Sequence, residues 1–143
     1  MVTFVVVRHA EKRVDDAVDS PLSEMGHARA QRLASLLGGE PLVAVYATQF
    51  RRTRETAEPV ARSHGIQITS YDAAVAAGSL ATQLRADHPR GTVLVVGHSN
   101  TVADIVSALS GQTVEPLTEA QFDVIHEVDV DSRGRASVTR SSY

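Results

Sequence analysis

Two histidines in this sequence stand directly after long apolar, β-branched runs. Val2–Val7 leads into Arg8-His9-Ala10-Glu11-Lys12, and Thr92–Val96 leads into Gly97-His98-Ser99-Asn100. Neutral imidazole is a nucleophile that needs no negative charge, so an anionic substrate does not repel it. Arg8 adjoins the first histidine, and guanidinium forks match phosphate oxygens. The second histidine precedes a helix start, whose free N–H groups and dipole favour an anion. A third segment, Thr48-Gln49-Phe50-Arg51-Arg52-Thr53-Arg54-Glu55-Thr56-Ala57, opens a helix after another strand signal. Arg51 and Arg54 lie three apart on one helix face and Arg52 points elsewhere. One or two of these arginines therefore enter a site, and the others are solvated. One strand-end histidine alone reads best as an ordinary loop residue. Two, each beside a phosphate-suited feature, point to phosphoryl chemistry at a shared site.

The elements that must position these residues are legible as hydrophobic patterns. Continuous runs at Val2–Val7 and Thr92–Val96 suit strands buried on both faces of a parallel sheet. Leu42–Tyr46 and Ile66–Tyr71 are weaker strand signals. Ser23 caps a helix to about Leu37, with Ala30, Leu33, Ala34 and Leu37 on one face, and Gly38-Gly39 stop it. Further helices are expected from about Arg52 to His64, kinked near Pro59, over about Leu80–His88, and after Ser99 to about Leu109. Phe122–Val130 and Arg135–Arg140 read as two strands turning at Asp131–Gly134. The order β-α-β-α-β-α-β-α-β-β predicts one domain over residues 1–143. Its fold would be a three-layer α/β/α sandwich with a mainly parallel central sheet. Both histidines would then sit at the carboxyl edge of that sheet, where open α/β folds bind ligands.

Composition narrows the chemistry. The chain has no cysteine, so thiolate catalysis and cysteine-bound metals are excluded. Net charge is −3, which argues against a general nucleic-acid binder. No apolar run is long enough to span a bilayer and no signal peptide is read, so no membrane partner and a cytoplasmic location are expected. The cations are thirteen arginines and one lysine, Lys12. Asp15, Asp16 and Asp19 lack a cation-ligand spacing and read as loop solvation. His27, His64 and His88 are expected to face solvent, and His126 lies in a terminal strand.

The three segments, in this order, resemble the histidine phosphatase superfamily, with its phosphoglycerate mutase-like fold. The match is to an Arg-His-Gly/Ala start, a Ser-x-x-x-Arg-Ala/Thr-x-Gln/Glu-Thr-Ala segment and a Gly-His-Ser/Gly turn. In outline the chain is most similar to the family's small phosphohistidine phosphatases. The resemblance implies that His9 is transiently phosphorylated. It implies that Arg8 and Arg52 bind phosphoryl oxygens and that His98 donates to the phosphoryl group in flight. Ser99 joins Arg8, Arg52 and His98 as a phosphate-binding candidate. No cofactor and no metal are implied. Ala10 stands where glycine is commoner, and Thr48 stands where serine is common and keeps the hydroxyl.

One departure concerns the general acid. One branch of the family carries a glutamate after the third strand, where this chain has Asp72-Ala73-Ala74-Val75-Ala76-Ala77-Gly78. The other carries an aspartate after the second histidine, where this chain has Ser99. The acid is therefore Asp72, Glu11 or absent. A weak acid would favour phosphohistidine or activated aryl phosphates, whose leaving groups depart with little help. The expected function is a metal-independent phosphatase acting on a phosphorylated small molecule or a phosphohistidine protein. A catalytically weak phosphate-binding or phosphoprotein-interaction module is the alternative. A phosphoglycerate mutase is disfavoured, because the stretch between Tyr71 and Thr92 leaves no room for a lid insertion.

Overall fold

The computed structural model describes residues 1–15 and 18–143, so Asp16 lies outside the described residues. Six strands and four helices follow one another in the order β1 (Val2–Arg8), α1 (Glu24–Leu36), β2 (Leu42–Thr48), α2 (Arg51–His64), β3 (Ile68–Tyr71), α3 (Ala77–Asp87), β4 (Gly91–Gly97), α4 (Val102–Ser110), β5 (Val124–Val130) and β6 (Ala136–Ser142). They build one sheet in the order β3-β2-β4-β1-β5-β6. The central strands β1 and β4 are buried along almost their whole length, as their unbroken apolar runs require. One face packs Val5, Val7, Val45, Leu94 and Val96 against Leu33 and Leu37 of the first helical segment and Ala57 and Val60 of α2. The other packs Phe4, Val6, Val93 and Val95 against Leu84 of α3 and Val106 and Leu109 of α4.

The sheet is mixed, which corrects the expectation of a mainly parallel one. Strands β3, β2, β4 and β1 run parallel, whereas β5 pairs antiparallel with β1 and β6 antiparallel with β5. The cause is the connection after α4. Residues 111–123 contain no helix or strand and return the chain to the carboxyl edge, where Ile125 pairs with Val7. From there β5 can only run back down the sheet. Its buried and half-buried residues alternate, unlike the continuous burial of β1 and β4. This reversal delivers residues 118–123 to the edge that carries both strand-end histidines.

Close packing of backbones fixes that edge. Ser23 caps α1 by accepting from the Gly26 N–H at 3.1 Å, a cap that contributes about 0.5–2 kcal/mol. A Cβ on Gly26 would collide with the Glu11 carbonyl oxygen, so α1 can lie against the loop after β1 only with glycine there. The Ser23 N–H donates to that same carbonyl at 2.9 Å. A Cβ on Gly97 would meet the Thr101 hydroxyl at 3.0 Å and the Tyr71 hydroxyl at 3.2 Å. A side chain at that position would have to push both hydroxyls back by a few tenths of an ångström.

Some boundaries differ from expectation. α3 begins at Ala77 rather than Leu80, and α4 begins at Val102, three residues beyond Ser99. Two histidines expected in solvent are half-buried and bonded instead. His88 meets the Tyr46 hydroxyl at 2.7 Å, and His64 donates from Nε2 to the Leu37 carbonyl at 2.9 Å. His126 is buried on β5 opposite Val6, with neither ring nitrogen partnered among the described residues.

Candidate active site

His9 follows β1, and its N–H donates to the Gly97 carbonyl at 2.9 Å, which ties it to the end of β4. His98 follows β4, and the two imidazole centroids are 5.5 Å apart. The two histidines share one place at the carboxyl edge. Both are buried, at 5% and 8% exposure.

The tautomer of His9 follows from its partner. Nδ1 lies 2.7 Å from the Ala10 carbonyl oxygen, which can only accept, so Nδ1 carries the hydrogen. Nε2 is left with its lone pair. The Ala10 N–H in turn donates to the Thr56 hydroxyl at 2.8 Å, and that hydroxyl donates to the Arg52 carbonyl at 2.7 Å. The backbone that orients the ring is thus pinned to α2. This explains why the Thr48–Ala57 segment matters beyond its arginines.

His98 is held by a second chain of hydroxyls. Its Nε2 is 3.0 Å from Thr48 Oγ1, which is 2.8 Å from Thr53 Oγ1. Thr53 has the Phe50 carbonyl at 2.9 Å as acceptor. With the Thr53 proton on that carbonyl, Thr48 donates to Thr53 and accepts from His98 Nε2–H. Every hydroxyl is then satisfied, and His98 presents a hydrogen that an incoming oxygen can take over. Phe50 packs edge-on against the His98 ring at 5.5 Å.

Both imidazoles are held neutral. Burial is the main cause for His9, aided by the charges of Arg8, His98 and Arg52 and opposed by the Ala10 bond, and its pKa falls to about 3. Burial, then Arg52 and Arg8, bring His98 down to about 4. The unfolded chain binds these protons near the ordinary value of about 6.5. The stability tied to the neutral rings is therefore complete above that value and is lost as pH falls from it through about 4 and about 3. The thermal midpoint is expected to drop by about 5 °C or more between pH 6.5 and pH 4. Scanning calorimetry across that range checks this, and a His9→Gln, His98→Gln double variant should flatten the slope.

The arginines divide sharply. Arg8 is buried, with Nη1 donating to the carbonyls of Glu119 at 2.9 Å and Gln121 at 3.1 Å. Its guanidinium lies 3.8 Å from the centroid of the Phe122 ring. Its Nε is buried without a partner among the described residues, so one edge of the fork has spare donor capacity. Burial is the leading influence on Arg8 and lowers its pKa, while Glu119 and Glu11 oppose the shift. Arg52 is half-buried, with its guanidinium 4.5 Å from the Phe50 ring centroid, and it lines a cavity of about 170 Å³ with Phe50, Ala73, His98, Asn100 and Thr101. Arg51 and Arg54 are exposed, and Arg51 pairs with Glu55 at 3.2 Å.

The carboxylate candidates do not face the histidines as free acids. Glu11 receives Arg29 at 2.8 and 3.0 Å on its two oxygens. Burial raises its pKa, but the Arg29 bonds and charge outweigh burial and hold it below the usual range. Asp72 is exposed and accepts from the Ala74 N–H at 2.9 Å, closing its own turn. Ser99 points to a carboxylate, its hydroxyl donating to Glu119 Oε1 at 3.0 Å.

Sequence reading missed Glu119 and Phe122, which carry no motif. Only the antiparallel return of β5 brings them here.

Comparison with known proteins gives the family. The profile of the histidine phosphatase superfamily (branch 1) matches residues 4–75. Phosphoserine phosphatase 1 of Hydrogenobacter thermophilus is 33% identical over 78 residues, covering 50% of this chain and 37% of that protein. The probable phosphoglycerate mutase GpmB of Photorhabdus laumondii is 32% identical over 74 residues, covering 48% and 34%. The chain thus spans little more than a third of the length of these curated relatives. Among solved structures, the protein histidine phosphatase SixA complexed with tungstate superposes with a TM-score of 0.79 at 23% identity, over 98% of this chain and 96% of that one. A mycobacterial glucosyl-3-phosphoglycerate phosphatase complexed with VO3 gives 0.76 at 16% identity, over 96% of each chain. Those structural likenesses speak for the fold. The sequence match runs from β1 through the helix that carries Arg52 and on past β3, and on that stretch the chain belongs to the histidine phosphatase superfamily, branch 1.

Proposed function

We propose that this protein is a metal-independent phosphatase that hydrolyses phosphate monoesters or phosphohistidine through a phosphoenzyme on His9. The observation that supports it most is the Nδ1–Ala10 bond, which leaves the His9 Nε2 lone pair as the nucleophile. In this reading Nε2 attacks phosphorus in line with the leaving group. Arg8, Arg52 and His98 hold the equatorial oxygens, with Ser99 at the rim. Protein groups placed where charge develops supply most of the rate enhancement in such a transfer. Water then attacks the phosphohistidine and releases phosphate. Both kinds of substrate have support, since one relative is named for phosphoserine and one structural neighbour for protein histidine. Between β3 and β4 lies only α3 with short flanks, which disfavours a mutase that must shield its intermediate from water.

Among the described residues, no three His, Asp or Glu side chains gather where they could hold an ion. In this reading the guanidinium groups of Arg8 and Arg52 supply the positive charge. Turnover in a screen of phosphorylated compounds and phosphohistidine peptides is therefore expected to survive EDTA unchanged. Loss with EDTA and recovery with a divalent ion would contradict this reading. Tight phosphate binding without turnover of any compound would favour a binding module.

A further inference from the structure

An alkoxide leaving from a phosphate ester is strongly basic, so a positioned acid lowers the barrier. Several carboxylates near the carboxyl edge are already committed. Glu11 is clamped by Arg29, Asp72 closes its own turn, and Glu55 accepts from the Leu22 N–H at 2.9 Å and from Arg51 at 3.2 Å. Glu119 is placed differently. Its Oε1 accepts from the hydroxyl of Ser99, the residue after His98, at 3.0 Å. Its Oε2 lies 3.7 Å from Nη2 of Arg8, the residue before His9. Its backbone is fixed, because its carbonyl and that of Gln121 hold Arg8 Nη1, and Phe122 stacks on the same guanidinium. Its side chain is 89% exposed, so water can deliver and remove protons. A carboxylate on a movable stem thus hangs from an anchored backbone between the two residues that flank the histidines.

We propose that Glu119 is the proton donor to the leaving group, which brings alkyl phosphate monoesters within the substrate range of this site. The inference rests on His9 as the nucleophile. A phosphate dianion docking on Arg8 takes Nη2 away from Glu119 and sets negative charge beside it. Glu119 enters the step as the protonated carboxyl, its proton drawn from solvent. His9 Nε2 then forms the P–N bond as the P–O bond to the alkyl group breaks. The electron pair of that bond stays on the alkyl oxygen, which takes the Glu119 proton and leaves as the alcohol. In the second half, water attacks phosphorus and gives a proton to the Glu119 carboxylate. The P–N bond breaks with its electrons returning to Nε2. Phosphate departs, and Glu119 is protonated again.

The test is a leaving-group series, from nitrophenyl through phenyl to alkyl phosphates, on wild type, Glu119→Gln and Glu119→Asp. Glu119→Gln is expected to lower kcat/KM on alkyl phosphates by about a hundredfold or more while nitrophenyl phosphate stays within about threefold, and Glu119→Asp should recover part of the loss. A uniform fall across the series would make Glu119 a positioning group for Arg8 and overturn the proposal. So would a series unchanged by the substitution. Rapid-quench trapping of labelled enzyme from nitrophenyl phosphate separates this from the His9 reading. Phosphoenzyme formation equal in wild type and Glu119→Gln, with only alkyl cleavage lost, supports the acid role. Absence of phosphoenzyme in wild type removes the nucleophile and the acid with it.

Discussion

His9→Ala is expected to lose turnover by at least about a thousandfold on every substrate, with no labelled phosphoenzyme formed. The size follows from what remains. On the proposed mechanism Arg8, Arg52 and His98 would still bind the phosphoryl group, but the nitrogen that attacks it would be gone. His98 cannot substitute directly, because its Nε2 hydrogen is engaged with Thr48 at 3.0 Å. Folding should survive, since the His9 N–H bond to Gly97 and the Ala10 bond to Thr56 belong to the backbone. The measurement is trapping with labelled substrate under an alkaline denaturing quench. A phosphohistidine adduct is acid-labile and base-stable, so its chemistry identifies the linkage. A variant that still traps label, or turns over within tenfold of wild type (about 1.4 kcal/mol of barrier), would show that the nucleophile lies elsewhere.

Much of this site was legible in the sequence because its parts are local. β1 and β4 are continuous β-branched runs, and such runs announce strands buried on both faces. The residues at their ends, Arg8-His9 and Gly97-His98, inherit their position from them. The Thr48–Ala57 segment was legible for the same reason, since β2 ends at Thr48 and α2 starts at Arg51. What could not be read depends on distant pairing. The alternation Val128-Asp129-Val130 marks the end of β5 as a half-covered strand, but not its direction. That direction decides whether Glu119 and Phe122 reach Arg8 or lie at the opposite edge. Glu11 fails as an acid for a similar reason. Its closeness to His9 is sequential, whereas its charge is spoken for by Arg29, which α1 brings in from the side. Asp72 does end β3 at the expected edge, yet its Ala74 bond shows a turn residue. The role of Thr48 was half legible, in that a hydroxyl was retained where the family commonly has serine, but its partner His98 appears only across the β2–β4 pairing.

Arg52→Ala is expected to lower kcat/KM by about 10²–10³-fold while leaving the fold intact. Arg8 would be the less informative target. Its Nη1 holds the carbonyls of Glu119 and Gln121, so truncation would unpair two acceptors and loosen the segment before β5. The Arg52 guanidinium makes no hydrogen bond or ion pair among the described residues and rests on the Phe50 ring. Such a group contributes little to stability, and its free donors are what a dianion would use. Arg52→Lys should recover only part of the loss, because an ammonium supplies charge without the bidentate fork. A second readout comes from His98. The Arg52 charge is one cause of its low pKa of about 4, after burial, so removing that charge should let His98 take up a proton at higher pH. An NMR titration of the His98 ring in wild type and Arg52→Ala would show the midpoint moving upward. Activity within threefold of wild type, about 0.7 kcal/mol, together with an unmoved His98 titration, would place Arg52 outside the phosphoryl site despite its motif.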